Sequence, residues 1–150
     1  MIDRFERFSA AISDITRCWH KLAAQEMEKY GLKGNHVMYL ISMYHHPQGI
    51  TAAQLSELTA RDKSDVSRAM TLMEKQGLVT KDDSQGRYRA LLRLTDKGIS
   101  AARYIRRRAC TGVHFAGQGI DAQRRDEFYE TLECIAANLQ HITREGLPEN

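Results

Sequence analysis

The sequence lacks the features that mark secreted, disulfide-bonded or membrane proteins. It holds only three cysteines in 150 residues, and Cys18, Cys110 and Cys134 are too widely spaced for a CxxC pair or an even disulfide framework. No charged start is followed by the apolar run of a secretory signal, and no apolar segment is long enough to span a bilayer. We therefore expect a cytoplasmic protein with reduced cysteines and no membrane partner.

Catalytic motifs are also missing. The glycine-rich phosphate-binding patterns do not occur, and neither do HExxH and GxSxG. The adjacent carboxylates Asp82 and Asp83 lie beside Ser84 and Gly86, so a solvated turn is a simpler interpretation than an acid-base pair. We expect no enzyme activity, no cofactor and no bound metal. The net charge of +3 is too small for a generic polycation, so recognition of a partner depends on where the charges lie.

Residues 50–98 carry the most informative pattern. Thr51 and Gln54 have the capping-box spacing that opens a short helix. A second helix opens at Asp62, has Asp65 in its acidic first turn, and ends at Gly77. A β-hairpin pattern follows. Helix, turn, helix and hairpin in this order form a winged helix-turn-helix, in which the second helix enters a DNA major groove.

The second helix of this pair divides into an apolar stripe and a polar surface. Val66, Met70 and Met73 recur at intervals of three and four residues, as the buried face of a helix does. The polar positions supply the hydrogen-bonding groups that base edges and phosphates require. We predict that the residues of this helix that bind DNA are Lys63, Ser64, Asp65, Ser67, Arg68 and Thr71.

The hairpin pattern comprises a strand at 78–81, a turn at 82–86 and an alternating strand at 87–94. One face of the second strand carries Tyr88, Ala90, Leu92 and Leu94, and the other carries Arg87, Arg89, Leu91 and Arg93. We predict that Arg87 and Arg89 bind the minor groove or its flanking phosphates, and that Arg93 matters least because it is far from the tip. The alternative is a solvated edge strand whose basic residues prevent aggregation.

The flanking segments read as helices with long apolar stripes. In the first helix the stripe consists of Phe5, Phe8, Ile12, Ile15, Trp19 and Leu22. A second helix covers roughly 35–44, Thr95 caps a fifth, and Asp121 caps a sixth. The fold class is therefore α+β and mostly α-helical, with six helices and a hairpin. Because one small core cannot cover all these stripes, we expect a homodimer held by the first, fifth and sixth helices rather than a monomer.

Four runs of sequence together carry a family resemblance: TAAQLSEL at 51–58, DKSDVSR at 62–68, MEKQGLV at 73–79 and LTDKG at 94–98. With the flanking helices, they resemble the MarR family of bacterial winged-helix repressors over nearly the whole chain. The resemblance implies a single domain at 1–150, with dimerisation helices at 1–31 and 99–145 and a DNA-binding region at 32–98. It also implies a ligand-responsive repressor that binds a pseudo-palindromic double-stranded operator as a homodimer.

The chain departs from the family in the wing. Family wings usually carry Asp-x-Arg shortly before the Leu-Thr pair, whereas this chain has Gly86 and Tyr88 at those two positions. The internal ion pair of the family wing therefore lacks both of its usual partners. Arg87 or Arg89 would then take the role that faces the groove.

The effector is the least determined feature. The resemblance implies a small aromatic or lipophilic ligand, and the weak candidates to line its pocket are Trp19, His36, Tyr39 and Tyr44. Aromatic residues at helical spacing are more often core residues. The same fold could instead serve a protein-interaction module without DNA affinity, or a redox- or metal-responsive regulator.

Three further features bear on these alternatives. Cys110 and His114 share a helix face, but two ligands do not complete a metal site. Cys18 is expected to be a buried, inert thiol. The basic run formed by Arg103 and residues 106–108 could bind phosphates or an anionic effector, although a solvated helix face is the simpler interpretation.

Overall fold

A computed structural model describes residues 3–84, 86 and 89–148. The chain divides into two compact units, Met1–Cys110 and Thr111–Asn150. The first unit contains the winged helix-turn-helix, and the second contains the end of the fifth helix and all of the sixth. The elements are α1 (Arg4–Glu28), a 3₁₀ turn (Gly34–His36), α2 (Val37–Tyr44), β1 (Ile50–Thr51), α3 (Ala52–Thr59), α4 (Lys63–Lys75), β2 (Val79–Asp82), β3 (Leu91–Leu94), α5 (Asp96–Ala116) and α6 (Ala122–Glu145). The six helices and the wing confirm the predicted fold class.

Both helices of the central pair begin at the predicted caps. Thr51 accepts a hydrogen bond from the backbone N–H of Gln54 at 3.2 Å, and the Gln54 side chain accepts from the Thr51 N–H at 2.9 Å. Asp62 accepts from the N–H of Asp65 at 2.7 Å. These bonds satisfy N–H groups that have no partner inside the helix, so each helix starts at a defined residue.

The end of α4 is equally well defined. Gly77 has φ +72°, a left-handed conformation that glycine adopts without steric cost. The Leu78 N–H donates to the Met73 carbonyl at 2.9 Å, and the Gly77 N–H donates to the Glu74 carbonyl at 2.9 Å. These two bonds form a Schellman motif at the predicted end of the helix, and the motif turns the chain from α4 directly into the wing.

The sheet has three antiparallel strands in the order β1-β3-β2. The hairpin of β2 and β3 was predicted, but β1 was not, because two residues are too short to show alternation. Ile50 pairs with Leu92, and Val79 pairs with Leu94. The prediction of a second wing strand from residue 87 is wrong for Arg89, which lies in a short turn where its N–H donates to the Gly86 carbonyl at 3.0 Å. The strand itself begins at Leu91.

The core of the first unit lies between α2, α3, α4, the sheet and the adjoining part of α5. The predicted stripe on α4 is buried, and Ala69 joins it. Ala90 and Leu92, which share the predicted strand face opposite the arginines, are buried as well. Since one face of α4 is fixed in this core, its other face has a fixed orientation toward solvent.

The terminal helices leave large apolar side chains exposed. In α1 the whole predicted stripe is exposed, with Phe5 exposed by 72 % and Trp19 by 40 %. In the second unit α6 has no fully buried residue among those described, and Phe128 and Leu139 are each 47 % exposed. Asp121 caps α6 as predicted by accepting from the Arg124 N–H at 2.9 Å. Two apolar surfaces are thus available for further packing.

Candidate nucleic-acid interface

The exposed face of α4 carries most of the residues predicted to bind DNA. Lys63, Ser64, Ser67, Arg68 and Thr71 are all exposed, and the opposite face of the helix is buried. The alternation of exposed polar and buried apolar positions therefore places these five side chains on one accessible surface. We call them the reading face; their contact with DNA stays a prediction.

Hydrogen bonds along the helix orient part of the reading face. Arg68 donates from Nη1 to Ser64 Oγ at 3.0 Å, and its Nη2 lies 3.7 Å from Asp65 Oδ1. Thr71 Oγ1 donates to the Ser67 carbonyl at 3.0 Å. A guanidinium has five N–H donors, which is more than these two contacts use. Arg68 is therefore held at the surface by weak contacts and can still donate to a phosphate or a guanine edge.

Asp65 differs from the other predicted residues of α4, because its carboxylate is directed toward α2. The hydroxyl of Tyr39 donates to Asp65 Oδ2 at 2.6 Å. Burial, with the hydrogen bond to Asp65 as the second cause, raises the pKa of Tyr39 to about 12. The same hydrogen bond lowers the pKa of Asp65, so its carboxylate stays ionised. This contact fastens the first turn of α4 to α2.

The wing is described in part. Arg89 is exposed at the start of the returning chain. Arg87 and Tyr88 lie outside the described residues, so the contact of Arg87 with the minor groove or its flanking phosphates stays a prediction, as does the place of Tyr88 on the same strand face as Ala90 and Leu92.

The wing contains an ion pair that the sequence reasoning missed. Arg93 Nη1 lies 3.5 Å from Asp82 Oδ2, and Arg93 Nε donates to the Gln48 carbonyl at 3.0 Å. Asp82 also accepts the Ser84 N–H at 3.1 Å. Hydrogen bonds from Ser84, followed by the guanidinium of Arg93, lower the pKa of Asp82. The predicted hairpin placed residue 82 in the turn, whereas the observed register pairs Asp82 with Leu91 and so puts its carboxylate diagonally opposite Arg93.

The four candidate ligand residues occupy different surroundings. His36 and Tyr39 are buried, 5 % and 1 % exposed, with ring centroids 6.0 Å apart. Trp19 lies on the exposed stripe of α1, and Tyr44 is half-buried with its ring edge-on to His45. The structure thus brings His36 and Tyr39 together as core residues.

The imidazole of His36 has a defined environment. Its Nδ1 accepts the Lys33 N–H at 3.2 Å. Burial, reinforced by the Lys33 charge, lowers the pKa of His36. The neutral ring with no proton on Nδ1 is therefore the form that fits this site.

Two expectations about cysteine and the basic run need correction. Cys18 is exposed in the chain rather than buried, because it lies beside the apolar stripe of α1 and not among core residues. Arg108 is not simply solvated: its Nε donates to Glu26 Oε1 at 2.7 Å, while the Tyr104 hydroxyl donates to Glu26 Oε2 at 2.9 Å. The hydrogen bonds from Arg108 and Tyr104 lower the pKa of Glu26 to about 2.

The described residues offer neither a cluster of metal ligands nor a helix that could span a membrane. Within 3–84, 86 and 89–148, no three His, Cys, Asp or Glu side chains converge in a way that could hold a metal ion. Among the helices of this part of the chain, none is both long enough and apolar enough to cross a bilayer.

Comparison with known proteins identifies relatives of this arrangement. Residues 30–90 match the model of the MarR family. The chain is 25 % identical over 130 residues to the uncharacterized HTH-type transcriptional regulator YybA of Bacillus subtilis strain 168, covering 86 % of each protein.

Two solved structures have the same fold. A MarR transcriptional regulator from Methanosarcina mazei Go1 superposes with a TM-score of 0.80 at 24 % identity, covering 95 % of this chain and 94 % of that one. A MarR family regulator from Listeria monocytogenes, crystallised with 26mer DNA, superposes with a TM-score of 0.78 at 22 % identity, covering 100 % and 99 % of the two chains.

Proposed function

We propose that this chain, which matches the MarR family model over residues 30–90, is a transcriptional regulator of that family and represses transcription as a homodimer bound to a specific pseudo-palindromic operator. The observation that carries the proposal is the reading face: five polar side chains are exposed on a helix whose opposite face is locked in the core. A helix presented in this way fits the width of the major groove of B-DNA.

The proposal assigns a role to each part of the reading face. Lys63, Ser64 and Ser67 would hydrogen-bond base edges, and Arg68 would bind a guanine edge or a phosphate. Arg89 and Arg87 in the wing would bind the minor groove and its flanking phosphates. The Listeria regulator that binds 26mer DNA has the same fold, which supports duplex DNA as the ligand.

The exposed terminal helices support a dimer. Apolar surface of this extent is normally covered by a partner in soluble proteins, and a two-fold axis would cover the same stripe on both copies. We propose that 1–31 and 99–145 form the dimer interface, and that 32–98 forms the DNA-binding region of a single functional domain. Two-fold symmetry would then present two α4 helices to major-groove faces ~34 Å apart, which requires a pseudo-palindromic site.

An effector completes the proposed function. Regulators of this type respond to a signal, and we propose a small aromatic or lipophilic ligand rather than a catalytic substrate. A screen of aromatic acids, thiol oxidants and divalent metals for release of bound duplex would separate a ligand-responsive regulator from redox- and metal-responsive ones.

Selection from a randomised duplex library, followed by titration of the selected duplex at several salt concentrations, tests the DNA-binding role. We expect enrichment of an inverted repeat, and an affinity that falls as salt rises because bound phosphates release counterions. A scrambled duplex of equal length is the control. Equal affinity for both duplexes, or no binding to either, would contradict the proposal, and no binding would favour the protein-interaction alternative.

A further inference from the structure

Three groups at the base of the wing form a connected set that links the wing to the body of the domain. Arg93 donates from Nε to the carbonyl of Gln48, in the link between α2 and β1, and its Nη1 lies 3.5 Å from Asp82 Oδ2 at the end of β2. The other carboxylate oxygen of Asp82 accepts the N–H of Ser84 in the wing turn. We call Gln48, Asp82 and Arg93 the wing clasp.

We propose that Arg93 is a positioning residue for DNA recognition, which sets the orientation of the wing through the wing clasp rather than by binding DNA. The inference rests on the proposed function, because it concerns how the wing is oriented toward a bound DNA duplex. It revises the prediction that Arg93 contributes least to binding.

The topology explains why this position can act on the whole wing. Arg93 belongs to β3, the central strand of the order β1-β3-β2. From there its guanidinium reaches the β1 side through Gln48 and the β2 side through Asp82. The side chain also lies across Gly49, where an added methyl group would come within 3.2–3.3 Å of Arg93 atoms. One planar fork therefore joins both neighbours of the central strand.

The geometry distinguishes this role from phosphate binding. The guanidinium of Arg93 is directed at two groups of its own chain, and 39 % of its side chain is exposed. An arginine fork can satisfy an acceptor on each side, whereas a lysine ammonium is a point charge without that planar geometry. Lysine at 93 would preserve attraction to a phosphate but would lose the clasp. Asp82 should therefore favour DNA binding, because it holds Arg93 in place, although its negative charge alone would repel the phosphates.

The sign of the Asp82 effect provides the sharpest test. Asp82→Asn removes a negative charge near DNA, so electrostatics alone predicts equal or tighter binding. If Asp82 holds Arg93, the same variant should bind more weakly. Asp83→Asn is the matched control, because it makes an identical change of charge at the next residue, which is exposed and outside the clasp.

The experiment measures affinity for the selected duplex against salt for the full-length wild type, Asp82→Asn, Asp83→Asn and Arg93→Lys. We expect Asp82→Asn and Arg93→Lys each to weaken binding about 3- to 10-fold, the range expected for breaking one member of an ion-pair network. The slope of affinity against salt should change by less than about one unit, the value for one lost phosphate contact, because both variants keep the wing arginines and only loosen their orientation. Asp83→Asn should bind as the wild type does or more tightly.

Contrary results separate the two proposals. If the wild type prefers the selected duplex but Asp82→Asn and Asp83→Asn bind it with equal affinity, the clasp is overturned and the proposed function stands. Wild-type affinity in Arg93→Lys would have the same consequence. Thermal melts of each variant detect a merely structural role. A variant that melts at a lower temperature, but binds the duplex with wild-type affinity when folded, would also overturn the clasp. If the wild type itself does not prefer the selected duplex, the proposed function fails and the clasp's role in recognition fails with it.

Discussion

Single residues fix the geometry of this domain at a few close contacts. Gly98, near the start of α5, is buried, and a methyl group added there would overlap the carbonyl oxygen of Leu78. Thr95 caps α5 by accepting the Gly98 N–H at 3.1 Å, while the Thr95 N–H donates to the Leu78 carbonyl at 3.0 Å. Glycine at 98 thus lets α5 begin directly against the first residue of the wing.

Gly98→Ala should destabilise the fold, because either α5 or the entry to β2 must move to accommodate the methyl group. Overpacking of this kind costs about 1–3 kcal/mol. Urea unfolding followed by circular dichroism measures the change. Ser100→Ala, an exposed position of the same helix, should change the free energy of unfolding by less than about 0.5 kcal/mol. Equal stability of Gly98→Ala and the wild type would mean that this contact relaxes freely.

His36 should make stability depend on pH. Burial lowers its pKa below the ordinary value of 6.5, so the unfolded chain binds the proton more readily than the folded one. The contribution is therefore complete above about pH 6.5 and is lost as the pH falls toward the folded pKa. Protonation would also remove the Nδ1 lone pair that accepts the Lys33 N–H.

The free energy of unfolding at pH 8 and pH 5.5 tests this prediction. His36→Asn, whose amide oxygen can accept the Lys33 N–H and cannot be protonated, should lose less stability between the two pH values than the wild type does. The exposed His46→Asn is the control and should lose as much as the wild type. A wild-type loss no larger than that of His36→Asn would show that His36 does not titrate in this range.

At the scale of elements, the sequence was most informative where the ends of helices depend on local bonds. Thr51, Asp62 and Gly77 act within three or four residues of their partners, so their roles could be read from spacing. Strand β1 could not be predicted, because Ile50 and Thr51 become a strand only by pairing with β3. The Arg93 contacts were missed for the same reason, since Gln48 is 45 residues distant in the chain.

The reading face of α4 supports a prediction about specificity. Lys63→Ala and Ser67→Ala should each weaken binding to the selected duplex by about 1–3 kcal/mol and relax the preference at one base position. Lys75→Ala, in the last turn of the same helix, removes the same charge away from the proposed base contacts and should leave the base preference unchanged. Unchanged affinity in both Lys63→Ala and Ser67→Ala would contradict the assignment of these residues to base edges.

At the scale of the whole molecule, the apolar stripe of α1 should determine the oligomeric state. Ile12→Glu places a charge in the middle of the stripe, where a second copy would bury it. We expect analytical ultracentrifugation to give a dimer for the wild type and the mass of one chain, 17.1 kDa, for the variant. Ala10→Glu introduces the same charge on the opposite side of α1 and should remain a dimer. A monomeric wild type at micromolar concentration would contradict the proposed interface.

The contacts of Glu26 with Arg108 and Tyr104 join the end of α1 to α5 within one protomer. Three residues after α1 ends at Glu28, the chain reaches Gly31 and then the buried Leu32 of the core. The helix that would form the dimer interface, α1, is therefore joined to the core that presents α4 both by the chain and by these side-chain contacts. Dissociation and unfolding should then be linked by mass action, so that the melting temperature rises with protein concentration.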